Sequence, residues 1–390
     1  MIKLPFHADG RCLRKFLFIA ILGGIGTLIR HRRRMKKGVF FPPFQFISIT
    51  DQCNLHCQGC WVVGKKNPGT LTVEDINGIV AQGKQNGSRF FGILGGEPLT
   101  HKGLFDVFRR NGDCYFQLFT NGTLLDEAAC EELRKCANVT PLISLEGDET
   151  VSDVRRGGEG VFRRTTDGID NAIKAGLLVG VAISVCRSNL ELALSDAFIK
   201  SLIDRKVSYL WYYIYRPVGG NPMPELALSV DEINRLRRHL INARSRFPIV
   251  IVDSYWDEDG KPFCPAAIGL SHHVNASGNV EPCPVIQFSA DNIAQKPLAE
   301  LYASSRYLAA FREQVPLRTN GCILMEDPVW LASFVDLEGA SDSSGRDNER
   351  TRLLAMTPVD SHGSAEIIPE RGFFYRMVKK NAFFGFGAYG

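Results

Sequence analysis

The sequence of 390 residues lacks a long stretch of apolar residues of the kind that crosses a bilayer. Such a span needs about 20 residues, and the uncharged apolar run at residues 16–29 has fourteen. Hydrophobic residues make up 45% of the chain and charged residues 23%. These ordinary values exclude a disordered chain, a collagen-like fibre and a multi-span membrane protein. The length suits two or three structural units, or one large unit with an appendage.

Acidic residues are absent between Gly10 and Thr50, where nine lysines and arginines occur. The apolar run therefore has positive charge on both flanks, which predicts an interfacial anchor on anionic lipid. The alternative is a helix docked on the protein's own surface beside a solvated basic run. The basic run has no interleaved aromatic residues, so nucleic-acid binding is not predicted. We assign residues 1–43 to this segment and expect a cytoplasmic protein, peripheral at the inner face of the membrane.

Disulfide pairing is not indicated, because the eleven cysteines are odd in number and three of them fall within eight residues. Cys53, Cys57 and Cys60 form a C-x3-C-x2-C pattern, which suits a metal site in a reducing compartment. Three thiolates on one short loop can hold three irons of a [4Fe–4S] cluster and leave the fourth iron open to a small molecule. Zinc, with His56 completing the ligand set, is the alternative.

From residue 46 onward, apolar runs of strand length alternate with helical patterns. Strands are predicted at residues 46–50, 90–94, 115–120, 141–145, 178–185 and 209–215, and helices at residues 72–85, 103–110, 126–137, 162–175 and 190–205. This alternation predicts an α/β fold over residues 44–228, with six parallel strands in an open or partial barrel and a site at the carboxyl ends of the strands.

The rest of the chain divides by composition. A further helix is predicted at residues 229–247, and residues 229–328 are assigned to a smaller, turn-rich region. Residues 329–390 are assigned to a C-terminal extension, in which residues 339–349 are predicted as a polar linker. Residues 371–390 are rich in Phe and Tyr and contain no acid, which also favours an interfacial position.

The cysteine triplet resembles the signature of the radical S-adenosylmethionine (SAM) superfamily, and the resemblance extends over residues 44–325. It implies the partial (β/α)6 barrel and a [4Fe–4S] cluster on Cys53, Cys57 and Cys60, with SAM bound to the open iron. It also implies reductive cleavage of SAM to methionine and a 5′-deoxyadenosyl radical, which abstracts hydrogen from a substrate. SAM and an electron donor such as flavodoxin or ferredoxin are the implied partners.

Further segments fit the resemblance in chain order. Gly95-Gly96-Glu97-Pro98 follows the second predicted strand and resembles the superfamily's GGEP motif, which binds the SAM amino group. The resemblance implies further SAM contacts at the ends of later strands, from Asn121, Ser144, Glu146, Arg156 and Ser184. Arg155 is the alternative to Arg156 in the Arg-Gly segment that pairs with the SAM carboxylate.

One position departs from the superfamily's pattern. An aromatic residue usually precedes the third cysteine and packs near the adenine, but here Gly59 stands there and Trp61 follows. The backbone contact to the adenine is retained with glycine, whereas the side-chain packing is not. The sixth predicted strand resembles the strand whose backbone commonly borders the adenine.

A second group of cysteines resembles the auxiliary-cluster domains called SPASM and twitch. Cys264, Gly278 and Cys283 form C-x13-G-x4-C, with a turn at residues 275–279 that predicts a hairpin. Cys322 is the third implied ligand of a second iron–sulfur cluster. The fourth iron is open or held by a non-cysteine group, for which the candidates are His272, His273, Glu326 and Asp327. Three buried structural cysteines are the alternative.

The resemblance implies an oxidoreductase or transferase but leaves the substrate open. The membrane-like termini favour a lipid-linked substrate, whereas the resemblance to SPASM and twitch enzymes favours a peptide or protein. From a different class, an iron–sulfur electron-transfer or sensor protein would reduce its cluster without cleaving SAM.

Overall fold

A computed structural model describes residues 7–381 of the chain. Its strands are β1 Phe44–Ser48, β2 Phe90–Leu94, β3 Tyr115–Thr120, β4 Val139–Ser144, β5 Gly180–Val185, β6 Tyr209–Ile214, β7 Val250–Val252, β8 Ser271–Val274, β9 Asn279–Glu281, β10 Phe288–Ser289, β11 Asp291–Asn292 and β12 Ser341–Asp342. Its helices up to the end of the barrel are α1 Gly10–Lys15, α2 Gly24–Met35, α3 Val73–Gln85, α4 Leu104–Arg110, α5 Glu127–Cys136, α6 Glu149–Arg156, α7 Val161–Lys174, α8 Leu190–Ala193 and α9 Asp196–Asp204. The later helices are α10 Val230–Arg246, α11 Leu298–Ser304, α12 Arg306–Arg318, α13 Ile323–Glu326, α14 Pro328–Leu337, α15 Glu349–Ala355 and α16 Phe373–Asn381.

Parallel pairing joins β1 to β6 in chain order, as the partial (β/α)6 barrel requires. The predicted fold class is therefore confirmed, with α3 to α9 covering the outer face. The sheet is open rather than closed: β7 adds to it beside β6, and β8, β9 and β11 extend it beyond β1. Residues 271–292 thus continue the barrel sheet, and the unit boundaries at residues 43, 228 and 328 stay predictions.

Capping residues in the sequence mark where several helices begin. Thr72 and Asp75 form a reciprocal capping box at α3, Asp126 caps α5, and Ser229 and Glu232 form a second box at α10. The predicted helix at residues 190–205 is in fact two helices, because Ser195 accepts a hydrogen bond from the Phe198 N–H and starts α9. These caps satisfy the free N–H groups at each helix start.

Two apolar layers hold the barrel. Strand residues that point outward pack against the helices, and those that point inward form a second cluster in the lumen. The lumen cluster contains Phe46, Leu94, Leu142, Ala182, Trp211, Tyr213 and Val252. The near-continuous apolar strands follow from burial on both faces.

The N-terminal segment forms one continuous helix, Gly10–Met35, with a π-helical stretch at Phe16–Gly23 between α1 and α2. It is long and apolar enough to cross a membrane on length and composition alone. It is longer than the fourteen-residue run suggested, because the helix continues into the basic residues of α2.

The prediction of a polar linker at residues 339–349 is wrong. The segment contains β12, which pairs with β10, and its Ser344, Arg346 and Glu349 are buried. Arg346 donates to the Trp61 carbonyl at 2.8 Å and pairs with Glu349. Polar composition was misleading here because the charged groups satisfy one another inside the fold. Of the predicted aromatic tail, residues 382–390 lie outside the described residues.

Candidate active site

The loop after β1 carries the three cysteines to the carboxyl end of the barrel. Asp51 fixes the loop's base, because one carboxylate oxygen accepts from the Lys65 ammonium at 2.9 Å and the other from the Gly69 N–H at 2.9 Å. Cys53, Cys57 and Cys60 then line a cavity of about 390 Å³. The cavity opens where the strands end, as predicted for this fold.

The three thiols influence one another electrostatically. Burial first, and then the neighbouring thiols, raise the pKa of Cys53 to about 12 and that of Cys60 to about 11. Metal binding would displace these protons, because the thiolate is the ligand form. In residues 7–381, no group of three Cys, His, Asp or Glu side chains is arranged to hold a single metal ion.

The glycine pair after β2 lies directly against the cysteine loop. Gly96 N–H donates to the Thr50 carbonyl and Glu97 N–H to the Gln52 carbonyl, each at 2.8 Å. Gly95 has a φ of +149°, and a Cβ there would lie 2.2 Å from the Thr50 carbonyl oxygen. The two glycines are therefore needed for the close approach, and both line the cavity.

Glu97 is fully buried behind this turn rather than exposed to the cavity. Its carboxylate accepts from the Thr120 hydroxyl and the Asn121 N–H, each at 2.8 Å. Burial raises the pKa of Glu97 to about 6 despite these bonds. Glu97 thus joins the ends of β2 and β3, and Pro98 begins a short 3-10 turn outside the cavity lining.

The remaining predicted SAM contacts surround the same cavity. Asn121, Ser144, Glu146, Arg156 and Ser184 all line it. Glu146 pairs with Arg156 and accepts from the Ser184 N–H at 3.1 Å. Arg156 also lies 3.9 Å from the Cys57 sulfur, so its charge faces the cysteine loop. Arg155 lines the cavity too, but its guanidinium contacts Cys186.

Gly59 stands where an aromatic residue usually precedes the third cysteine, and the space beside it is filled by Tyr215, which follows β6. Gly59 has a φ of +68°, and a Cβ there would lie 2.3 Å from the ring of Tyr215. The Tyr215 hydroxyl donates to the Pro222 carbonyl at 2.5 Å, and Arg155 stacks 4.7 Å from its ring centroid. Sequence reasoning missed Tyr215, and a glycine where an aromatic is usual was the available signal. Trp61 lines the cavity as well.

The second group of cysteines also comes together. The hairpin predicted at residues 275–279 is confirmed, with β8 antiparallel to β9 and Asn275 accepting from the N–H groups of Ser277 and Asn279. Burial and the proximity of Cys264 and Cys322 raise the pKa of Cys283 well above its usual range. Three segments distant in sequence therefore bring their thiols within electrostatic reach of one another.

The candidate fourth ligands have other partners. His273 contacts Ser48 at 2.8 Å and Glu281 at 2.7 Å, and His272 lies between the Pro282 carbonyl and Arg312. Glu326 bonds to Thr319 and Ser361, and Asp327 caps α14. His362, which sequence reasoning did not single out, is buried against the carbonyl of Phe263, the neighbour of Cys264.

Arg216 connects the two groups of cysteines. It lines the cavity, and its positive charge also acts on Cys322 of the second group. Arg216 is 4% exposed, and its guanidinium donates to the Ile214 carbonyl at 3.0 Å and lies 3.3 Å from His362 Nδ1. Among the described residues no carboxylate contributes to its electrostatic surroundings. Burial alone would lower the pKa of Arg216, but Cys322 and Tyr255 raise it. A buried cation of this kind needs a negative neighbour.

Comparison with known proteins agrees with this geometry. Residues 47–187 match the family model described as the Radical SAM superfamily. The AdoMet-dependent heme synthase of Methanosarcina barkeri is 24% identical over 297 residues, which are 69% of this chain and 84% of that protein. The PqqA peptide cyclase of Streptomyces rochei is 25% identical over 293 residues, 70% of this chain and 78% of that protein. The fold is shared with Streptococcus suis SuiB bound to S-adenosylmethionine, at a TM-score of 0.62 and 18% identity over 72% of this chain and 71% of that one.

Proposed function

The chain belongs to the radical SAM superfamily through its domain at residues 47–187, and on that premise we propose that it abstracts hydrogen from a peptide or protein substrate. One observation carries the proposal: the three cysteines, the glycine turn and the Glu146–Arg156 pair meet around a single cavity. A [4Fe–4S] cluster with SAM would supply the 5′-deoxyadenosyl radical when bound and reduced. An electron donor of the flavodoxin or ferredoxin type is required.

The chain's own residues would bind and orient the cofactor. Cys53, Cys57 and Cys60 provide three thiolates, and the backbone at Gly95 and Gly96 can approach an ammonium group closely. Arg156 carries the positive charge that a carboxylate needs. Ser144 and Ser184 offer hydroxyls on the wall formed by β4 and β5.

An auxiliary iron–sulfur cluster on Cys264, Cys283 and Cys322 is the second part of the proposal. The convergence of Cys264, which is half-buried, with the buried Cys283 and Cys322 beside Arg216 supports it, because a cluster carries negative charge that Arg216 would offset. His362 lies against the carbonyl of Phe263, next to Cys264, and is therefore the side chain that offers a nitrogen ligand on that side of the site.

The substrate class rests on two observations. One relative is by name a peptide cyclase, and the apolar N-terminal helix contacts the barrel at the end opposite the cavity. A lipid-linked substrate, which the termini alone would favour, remains the competing outcome. A cytoplasmic protein peripheral to a membrane is the proposed location.

The test is 5′-deoxyadenosine production by anaerobically reconstituted, reduced protein given SAM. We expect turnover by the wild type and by Cys130→Ala, which alters a buried cysteine on α5, and none by Cys57→Ala. Stimulation by a peptide fraction but not by a lipid extract would support the peptide reading, and the reverse would support a lipid substrate. Cluster reduction without any 5′-deoxyadenosine would indicate an electron-transfer or sensor protein instead.

A further inference from the structure

The N-terminal helix closes the end of the barrel opposite the cavity. Its inner side packs on an aromatic cluster that contains Phe44, Phe90 and Tyr115, which are the first residues of β1, β2 and β3. The inner side contributes Phe16, Ile19, Ala20 and Leu28. The cysteine loop and the glycine turn follow the other ends of the same strands, so the helix and the cavity lie at opposite ends.

Polar contacts fix the helix in this position. Thr27 Oγ1 donates to the Gly87 carbonyl at 2.8 Å, and Lys15 Nζ to the Cys136 carbonyl at 3.0 Å. The Asp9 N–H donates to the Gly176 carbonyl at 2.7 Å. Each of these carbonyls lies at or just after the end of a helix, three or four residues before a strand, so the helix lies across the strand starts. Of the two readings of this segment, docking on the protein's own surface therefore describes its inner side.

The outer side of the helix is apolar and exposed. We call the stripe of exposed side chains the basal face, and it consists of Leu17, Phe18, Leu22, Ile25 and Ile29. Phe18 is 63% exposed and Leu22 is 57% exposed. Contiguous apolar surface of this kind marks an interaction site rather than ordinary surface variation.

The charge around the basal face has one sign. Exposed arginines and lysines flank the stripe at Arg11, Arg14, Arg30, Arg32, Arg33, Lys36 and Lys37. Two acids at this end of the barrel are already paired with basic side chains, Asp9 with Arg134 at 3.5 Å and Asp113 with Lys84 at 2.8 Å. An apolar stripe between basic groups is complementary to an anionic bilayer surface.

The last described helix reaches the same place. Arg32 donates to the Lys380 carbonyl at 3.1 Å, near the end of α16. That helix presents exposed Phe373, Phe374 and Met377, while a buried ion pair between Lys379 and Asp253 at 2.9 Å fixes it to the barrel. Two apolar and basic segments from opposite ends of the chain thus join.

We propose that the basal face binds an anionic lipid bilayer and that the cavity mouth consequently points away from it, into water. The helix would lie in the interface, with its inner side still on the barrel, and would not cross the membrane. This inference deepens the proposed function and rests on it in one respect: the substrate of the cavity must then be a water-soluble molecule, such as a peptide. The docking itself does not depend on catalysis.

The first experiment is vesicle flotation of the full-length reconstituted protein with phosphatidylcholine vesicles, with or without phosphatidylglycerol. We expect binding only to the anionic vesicles, release by high salt, and at least tenfold weaker binding of the Phe18→Glu/Leu22→Glu variant. Leu337→Glu alters an equally exposed leucine, 69% exposed, on α14 and should bind normally. Equal binding by all three proteins would overturn the proposal, and so would resistance to both salt and alkaline carbonate, which indicates a membrane-spanning helix.

The second experiment tests orientation. Phe18→Trp places a fluorophore on the basal face, and Val154→Trp places one on α6, at the cavity end, where Val154 is 62% exposed. Brominated phosphatidylglycerol vesicles should quench the additional fluorescence of Phe18→Trp and leave that of Val154→Trp unchanged. Quenching at residue 154 would show that the cavity faces the membrane. Because neither readout needs SAM turnover, failure of the docking and failure of the proposed reaction are distinguished.

Discussion

The two groups of cysteines differ in how the chain assembles them. Cys53, Cys57 and Cys60 lie on one loop within eight residues, and they line an open cavity. Cys264, Cys283 and Cys322 come from three segments separated by a hairpin and several helices, and Cys283 and Cys322 are buried. A local site depends on one loop and its anchors, whereas a dispersed site depends on the packing of the region that gathers it.

That difference predicts separable losses. Cys283→Ala should leave 5′-deoxyadenosine formation from SAM within a few-fold of wild type but reduce bound iron from about eight to about four atoms per chain. The measurement is iron content beside uncoupled SAM cleavage under anaerobic conditions. An unchanged iron content would show that the second group of cysteines holds no cluster and that its three cysteines are structural.

The same difference decides what could be predicted from sequence. The cysteine loop, the glycine turn and the order of the strands are local patterns, so they were predicted with most strand bounds correct to within two residues. The added strand β7 and the pairing of β8 with β1 were missed, since an edge strand of three or four residues has little periodicity of its own.

Contacts between distant residues escaped prediction for a related reason. Tyr215 fills the space left by Gly59 only because β6 ends beside the cysteine loop, and Glu97 turns away from the cavity only because Thr120 and Asn121 receive it. The buried residues at 344–349 looked like a linker because their partners lie elsewhere in the chain.

Substitution of Tyr215, which packs against Gly59, tests whether an aromatic ring at the first site contributes to SAM binding. Tyr215→Ala should weaken SAM binding about tenfold if the ring packs beside the adenine, since aromatic stacking on a base is worth roughly 1–3 kcal/mol. Tyr215→Phe keeps the ring and should stay within about twofold. The dissociation constant of SAM on the reconstituted protein provides the measurement. Equal affinities of Tyr215→Ala and the wild type would assign the ring a purely structural role.

Arg216 is the point at which the two sites could influence each other. Arg216→Gln removes a buried positive charge that acts on Cys322, so the auxiliary cluster should become harder to reduce. We expect its midpoint potential to fall on the order of tens of millivolts in an EPR-monitored titration, and Arg216→Lys to restore most of it. An equal shift at both clusters would show that the charge acts on the whole cavity instead.

The smallest expected effect concerns acid sensitivity of the scaffold behind the dispersed site. Burial, and then the charge of Arg312, lower the pKa of His272 to about 3, while the unfolded chain would protonate it near 6.5. The unfolded state therefore binds more protons below pH 6.5, and stability falls as the pH falls from there toward 3. Between pH 7 and pH 5.5 this one group should cost about 1 kcal/mol of the free energy of unfolding.

His272→Gln removes that proton uptake and keeps a neutral side chain between the Pro282 carbonyl and Arg312. The drop in thermal midpoint of the anaerobic holoprotein between pH 7 and pH 5.5 should therefore be smaller in His272→Gln than in the wild type. Substitution of the exposed His7 by Gln should leave the drop unchanged. An identical drop in all three proteins would assign the acid sensitivity to other groups, of which His362, with its pKa lowered to about 3 by burial, is the first to test.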